Sequence, residues 1–84
     1  MVMTDAPPKL FRVLLVYPEK GLAYLTVSPD EAGAIVRVFD RLFPSGRPRI
    51  GVQALGRIPI DFDREVIVAE STYDPEWETS AEWL

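Results

Sequence analysis

The sequence contains neither cysteine nor histidine. Without cysteine the chain has no disulfide, no thiolate zinc site, no iron–sulfur cluster and no thiol nucleophile. Without histidine it has no imidazole base, no histidine-bound metal and no Ser-His-Asp triad. An enzyme would have to work with carboxylates, Lys, Tyr, Ser or Thr. These absences therefore favour a non-enzymatic protein without a cofactor.

A long hydrophobic run is also missing. The longest apolar stretch, residues 13–17, is far shorter than the roughly 20 residues that span a bilayer. Residues 1–8 have neither the positive start nor the apolar centre of a signal peptide. We therefore expect a cytoplasmic protein that does not bind membranes.

The chain has 84 residues, of which 48% are hydrophobic and 26% charged, as is ordinary for one globular domain. A domain of this size buries only about 60–65% of its unfolded surface, so its core is marginal. Neither sulfur nor metal is available to reinforce it. These features favour additional burial against a partner or against a second copy of the chain.

The first half of the chain predicts an antiparallel hairpin. Residues 9–17 are almost continuously apolar, which is typical of a central strand covered on both faces. Residues 18–21 form a turn signal of Pro, two charged residues and Gly. Residues 22–27 then alternate weakly and include Tyr, Thr and Val, so they predict the second strand.

A helix is predicted to follow this hairpin. Ser28 is the expected N-cap, Pro29 suits the first helical position, and Glu31 completes a capping box. Pro44 and Gly46 are expected to end the helix. Apolar residues recur at helical spacing, and we predict that this stripe packs on the sheet: Ala32, Ile35, Val36, Phe39, Leu42 and Phe43.

The second half predicts further strands and a short helix. Residues 49–55 indicate a third strand, and residues 58–62 a fourth that Pro59 restricts to an edge or a bulge. Residues 65–70 indicate a last strand, although the pattern after residue 49 also fits only two strands. Asp74 and Pro75 are typical of a second helix start.

These elements predict an α+β two-layer sandwich in the order ββαβββ. Its sheet is mostly antiparallel with four or five strands, one main helix covers one face, and a short helix ends the chain. We expect three regions: a flexible arm at residues 1–8, a single domain at residues 9–72, and an acidic, aromatic segment at residues 73–84.

Charge is distributed unevenly along the chain. Residues 1–60 carry eight basic and five acidic side chains, a net charge of +3. Residues 61–84 carry one arginine and eight acidic side chains, a net charge of −7, and the two parts give the total of −4. The acidic part also contains both tryptophans.

This acidic, aromatic part predicts a surface that binds a basic partner. Carboxylates would steer the encounter and aromatic rings would anchor it, in a position where nucleic-acid phosphates could otherwise bind. The expected contacts are Tyr73, Asp74, Glu76, Trp77, Glu78, Glu82 and Trp83, with Asp61, Asp63 and Glu65 as extensions. The alternative is a solvated tail that aids solubility, with Trp77 packed on the protein's own sheet.

Five arginines are a second candidate set, for contacts with phosphate or with an acidic partner: Arg37, Arg41, Arg47, Arg49 and Arg57. The acidic net charge and the absence of an RNA-binding motif argue against direct nucleic-acid binding. The alternation of Asp61, Asp63 and Glu65 resembles calcium ligands, but the loop glycine and bidentate acid of an EF-hand are absent. We expect no metal there.

The sequence thus predicts a small acidic regulator or inhibitor that occupies a basic surface of a larger macromolecule. An inhibitor of the kind that phages encode against host defence or transcription machinery fits this size and charge. One alternative is a self-associating structural subunit, such as a homodimer. Another is a nucleic-acid-binding regulator that uses the arginines, and a third is a carboxylate enzyme, which would need two acids converging in a pocket.

Overall fold

The apolar run near the start of the chain forms the central strand of the sheet. The computed structural model describes residues 8–58 and 66–84. Their elements are β1 (Lys9–Val16), β2 (Gly21–Ser28), α1 (Glu31–Leu42), β3 (Arg49–Gly56), β4 (Val68–Ala69), α2 (Trp77–Ser80) and β5 (Glu82–Trp83). The strand order is β4-β2-β1-β3-β5, and every pair is antiparallel. The predicted α+β fold is confirmed.

The first hairpin is also confirmed. Val16 pairs with Gly21 and Lys9 with Ser28, so the two strands match over their whole length. The turn is closed by the backbone N–H of Tyr17, which donates to the carbonyl of Lys20 at 2.8 Å. β1 lies between β2 and β3 and is buried on both faces, as its continuous apolar character predicts.

The main core lies between helix α1 and one face of the sheet. Alternate residues of β1 point to this face and meet one residue of β3 and two of α1 in a buried cluster: Phe11, Val13, Leu15, Val52, Ala34 and Val38. Residues on the opposite face are equally buried, among them Leu10, Leu14 and Ala23. A second layer must therefore cover that face.

Helix α1 begins two residues later than the sequence predicts. Asp30 is the N-cap, and its Oδ1 accepts from the backbone N–H of Gly33 at 2.7 Å. Ser28 is instead the last residue of β2 and is buried. The predicted capping box is wrong because the strand extends through Ser28, so the first cap residue beyond the strand is Asp30.

The buried face of α1 is rotated from the predicted stripe. Ala34 and Val38 are fully buried, and Ile35 and Phe39 pack at the edge of the core. Four members of the predicted stripe are exposed instead: Ala32, Val36, Leu42 and Phe43. Two small-to-medium residues one turn apart let the helix approach the sheet closely, and periodicity alone did not reveal this.

The second half departs further from the prediction. The third strand is confirmed, but the predicted last strand is only the two-residue β4, paired with Tyr24 and Leu25 of β2. The predicted short helix is one turn, and β5 follows it and pairs with Gly51 and Val52. Residues 59–65, which include most of the predicted fourth strand, and residues 1–7 of the predicted arm lie outside the described residues.

Candidate binding site

The C-terminal segment, residues 70–84, packs three aromatic rings on the face of the sheet opposite α1 and joins the sheet edge as β5. Arg12 anchors it. The Arg12 guanidinium binds both oxygens of Glu70, at 2.5 Å from Nε and 3.4 Å from Nη2. Its Nη1 donates to Gln53 at 2.9 Å. Its carbon lies 3.9 Å from the ring centroid of Trp77. One half-buried cation thus joins β1, β3, Glu70 and α2.

Two glycines in the sheet leave room for aromatic rings of this segment. A Cβ on Gly51 would come within 2.9 Å of the Trp83 ring, and a Cβ on Gly21 within 2.7 Å of the Tyr73 ring. Tyr73 also meets Trp77 edge-on, with ring centroids 5.8 Å apart. The rings therefore pack on the bare backbone of the sheet, which any larger residue would block.

Glu78 interacts with two aromatic residues, Trp83 and Tyr73. Its backbone carbonyl accepts from Nε1 of Trp83 at 3.0 Å. The Tyr73 hydroxyl is buried and makes no hydrogen bond of good geometry with any residue that the structure describes. Burial is the largest cause that raises the pKa of Tyr73 from 10.0 to about 12, and the nearby Glu78 carboxylate is the second. The positive charge of Arg49 lowers this pKa by a smaller amount. Tyr73 is therefore a neutral packing residue.

The predicted partner contacts divide into two groups. Tyr73, Trp77 and Trp83 are half-buried on the protein's own sheet, as the alternative interpretation expected of Trp77. Among the acids, Glu76 and Glu82 are exposed, whereas Asp74 and Glu78 are half-buried. Asp74 is also engaged locally, because its Oδ1 accepts from the N–H of Glu76 at 2.9 Å. Asp61, Asp63 and Glu65 lie outside the described residues.

An open cleft of about 520 Å³ lies between the start of α1 and the β5 edge of the sheet. Its apolar lining consists of Ala32, Ile35, Val52, Trp83 and Leu84, and acidic residues complete it: Asp30, Glu31 and Glu82. None of the described lining residues is basic. Such a site combines an apolar floor with a negative rim on an open part of the surface.

The arginines do not form one surface. Arg37 donates to the carbonyl of Val27 at 2.9 Å. Arg41 lines a depression beside Leu42, Val66 and Ile67, whereas Arg57 lies at the other end of the sheet beside Lys9. Only two are brought together: Arg47 and Arg49 line a depression with Val16, Tyr17 and Pro18, and Arg49 also lies 4.4 Å from the Trp83 ring centroid.

Sequence reasoning found two residues of the cleft, Glu82 and Trp83, and missed the rest as binding residues. The sequence analysis places Glu31 only at a helix start, Ile35 only in the apolar stripe of that helix, and residue 52 only in the third strand. The signal that could have united them is the placement of the acidic helix start and the acidic segment on the same sheet edge. This placement depends on β5, which the sequence did not predict.

Comparison of the chain with protein-family models, curated proteins and solved structures finds no match. Among residues 8–58 and 66–84, no three His, Cys, Asp or Glu side chains are grouped so that they could hold a metal ion. No helix in the same residues is long and apolar enough to cross a membrane. Function is therefore inferred from the geometry of the site.

Proposed function

We propose that the protein is a non-enzymatic protein–protein interaction module, a small acidic regulator or inhibitor that occupies a basic surface of a larger protein. The acid-rimmed cleft is the observation that supports this proposal. Its partner would insert an apolar side chain while lysines or arginines on either side meet Asp30, Glu31 and Glu82.

The two parts of the cleft have different tasks in this proposal. Burial of an apolar side chain against Ile35, Val52 and Leu84 supplies affinity, at roughly 25 cal/mol per Å² of apolar surface removed from water. The acidic rim selects basic partners and raises the rate of association, because exposed charges attract the partner before contact. Salt screens these charges, so the effect is strong at low salt and weak at high salt. Outside the cleft, the exposed Glu76 extends the negative surface along the C-terminal segment.

A nuclear magnetic resonance titration with model peptides tests this function. The probe is a blocked pentapeptide with one leucine between pairs of lysines. One control peptide replaces the lysines by glutamates and a second replaces the leucine by serine. We expect binding of the first peptide with a Kd on the order of 0.1–1 mM, with shift changes at Glu31, Ile35, Val52 and Glu82. Both control peptides should bind at least about tenfold more weakly.

Two variants with equal changes in charge locate the binding surface. Glu31→Gln combined with Glu82→Lys alters the rim, whereas Glu19→Gln combined with Asp40→Lys alters exposed residues elsewhere. We expect the first variant to weaken peptide binding about tenfold and the second to leave it within about twofold. Equal weakening in both variants, or shift changes spread over the whole surface, would mean non-specific attraction and would refute the proposal.

A further inference from the structure

We infer that the cleft also accepts a segment of a second copy of this chain, the Phe43 loop, which consists of the last two residues of α1 and the connection to β3, residues 41–48. This inference rests on the proposed function of the cleft and names one partner for it. The contact would be head-to-tail, with the Phe43 ring on the apolar floor and the arginines of the loop at the rim.

Phe43 is placed as an anchor. Its side chain is 80% exposed, although it is one of the largest apolar groups of the protein. It ends α1 in the left-handed conformation, with φ 47° and ψ 58°, and its N–H donates to the carbonyl of Phe39 at 3.1 Å. A residue other than glycine or asparagine in this conformation is unfavourable. An exposed aromatic ring held in this way points to a binding role.

The charge around Phe43 is the complement of the charge around the cleft. The loop contains two exposed arginines and no acidic residue: Arg41 and Arg47. The cleft contains three acids and no basic residue among its described lining. An apolar group flanked by cations is the chemistry that the proposed function requires of a partner, and the Phe43 loop provides it within the same sequence.

Phe43 cannot reach the cleft of its own molecule. The acids Asp30 and Glu31 are at the start of α1, and Phe43 is at its end. A helix of 12 residues is about 18 Å long at its usual rise per residue. The contact is therefore intermolecular and joins two different surfaces. Contacts of this type produce open chains, or closed rings where the rotation permits.

Complementation of two variants tests this arrangement by sedimentation velocity. Phe43→Asn removes the anchor and suits the left-handed conformation, while its cleft stays intact. Glu31→Gln with Glu82→Lys disables the cleft, while its Phe43 loop stays intact. We expect the unmodified chain to associate as its concentration rises, and each variant alone to associate at least about tenfold more weakly. An equal mixture of the variants should form a 1:1 dimer, because one intact contact can still form.

The control variant Glu19→Gln with Asp40→Lys keeps Phe43 and the cleft and adds positive charge one turn before Phe43, so it should associate at least as strongly as the unmodified chain. The inference is overturned if the unmodified chain stays monomeric at millimolar concentration, or if it associates but the mixture of variants does not. Neither result touches the proposed function, because the lysine–leucine peptide titration reports on the cleft separately. Phe43→Asn should still bind that peptide like the unmodified chain, and loss of peptide binding in this variant would also contradict the inference.

Discussion

Arg12 is a charged residue inside an otherwise apolar strand, and the structure explains why it is there. Its side chain is 15% exposed and that of its partner Glu70 is 18% exposed, so solvent screens this pair only in part. It holds Glu70, Gln53 and Trp77 at once. Removal of the guanidinium would leave a half-buried carboxylate without its partner, and this is more costly than the loss of an exposed ion pair.

We expect Arg12→Ala to lower the free energy of unfolding by about 2–3 kcal/mol. Arg12→Lys should lower it by about 1 kcal/mol, because lysine keeps the charge but loses the planar contacts. Denaturation in urea measures both effects. Arg57→Ala, which removes an exposed arginine, is the control and should change stability by less than about 0.5 kcal/mol. Equal losses for Arg12→Ala and Arg57→Ala would show that the network does not stabilise the fold.

Tyr73 makes stability depend on alkaline pH. Its folded pKa of about 12 lies above the ordinary value of 10.0, so the fold favours the protonated phenol. The corresponding stability is fully present below pH 10 and is lost as pH rises towards about 12. Tyr73→Phe cannot ionise, so it should lose less stability than the unmodified protein over this interval.

Urea denaturation of both proteins from below pH 10 to about pH 12 measures this difference. Titration of the other tyrosines and of the lysines contributes equally to both proteins and cancels in the comparison. Below pH 10 the stability difference should be constant and small, because the hydroxyl that phenylalanine lacks makes no well-formed hydrogen bond. A difference that stays constant up to about pH 12 would show that Tyr73 ionises as it does in the unfolded chain.

At the scale of elements, the sequence predicted those strands and turns that are determined by residues close together in the chain. Continuous apolar character at residues 9–17 was sufficient to place β1 in the centre of the sheet, and the turn at residues 18–21 fixed the hairpin. The α1 rotation was not predictable, because its apolar residues cover more than one face and only the packing of Ala34 and Val38 decides between them. β5 was missed because its two residues have no pattern of their own.

The candidate site was only partly predictable for the same reason. Composition pointed to an acidic, aromatic surface near the end of the chain, and Glu82 and Trp83 do line the cleft. Whether an aromatic residue faces a partner or the protein's own sheet depends on contacts distant in sequence. Glycine at positions 21 and 51 is required by these contacts, because Tyr73 and Trp83 pack directly on the backbone there. The sequence alone does not show which ring packs on which glycine.

The C-terminal segment behaves as part of the fold in this account, so its removal should unfold the protein. Deletion of residues 73–84 would uncover the face of the sheet on which Tyr73, Trp77 and Trp83 pack against Gly21, Arg12 and Gly51. The core of a domain this small rarely contributes more than about 3–5 kcal/mol, and we expect the deletion to remove most of that. Far- and near-ultraviolet circular dichroism should show loss of the native spectrum.

Addition of the missing segment as a separate peptide is the control for this deletion. A synthetic peptide of residues 73–84 should restore the native spectrum in a concentration-dependent way, because it can dock on the exposed face. The same peptide with serine at both tryptophan positions should not. A deleted chain that keeps its native spectrum and its stability would show that the segment is a separate arm.

At the scale of the whole molecule, acidic and basic side chains lie on different parts of the protein surface. The acidic cleft contains the start of α1 and residues of β5, and the exposed Arg41 and Arg47 lie at and beyond the other end of the helix. A protein with a net charge of −4 thus offers separate surfaces of both signs. The proposed protein binding by the cleft and the proposed contact between copies both depend on this polarity, and both should weaken as salt rises.

The cleft exists only because the C-terminal segment lies on the sheet, since Glu82, Trp83 and Leu84 belong to that segment. The proton chemical shifts of Gly51 test this placement most directly. The Trp83 ring lies against Gly51, so its ring current should move a Gly51 α-proton well upfield. Trp83→Leu should return that proton to the usual glycine range. Ordinary Gly51 shifts in the unmodified protein, unchanged by Trp83→Leu, would contradict the account.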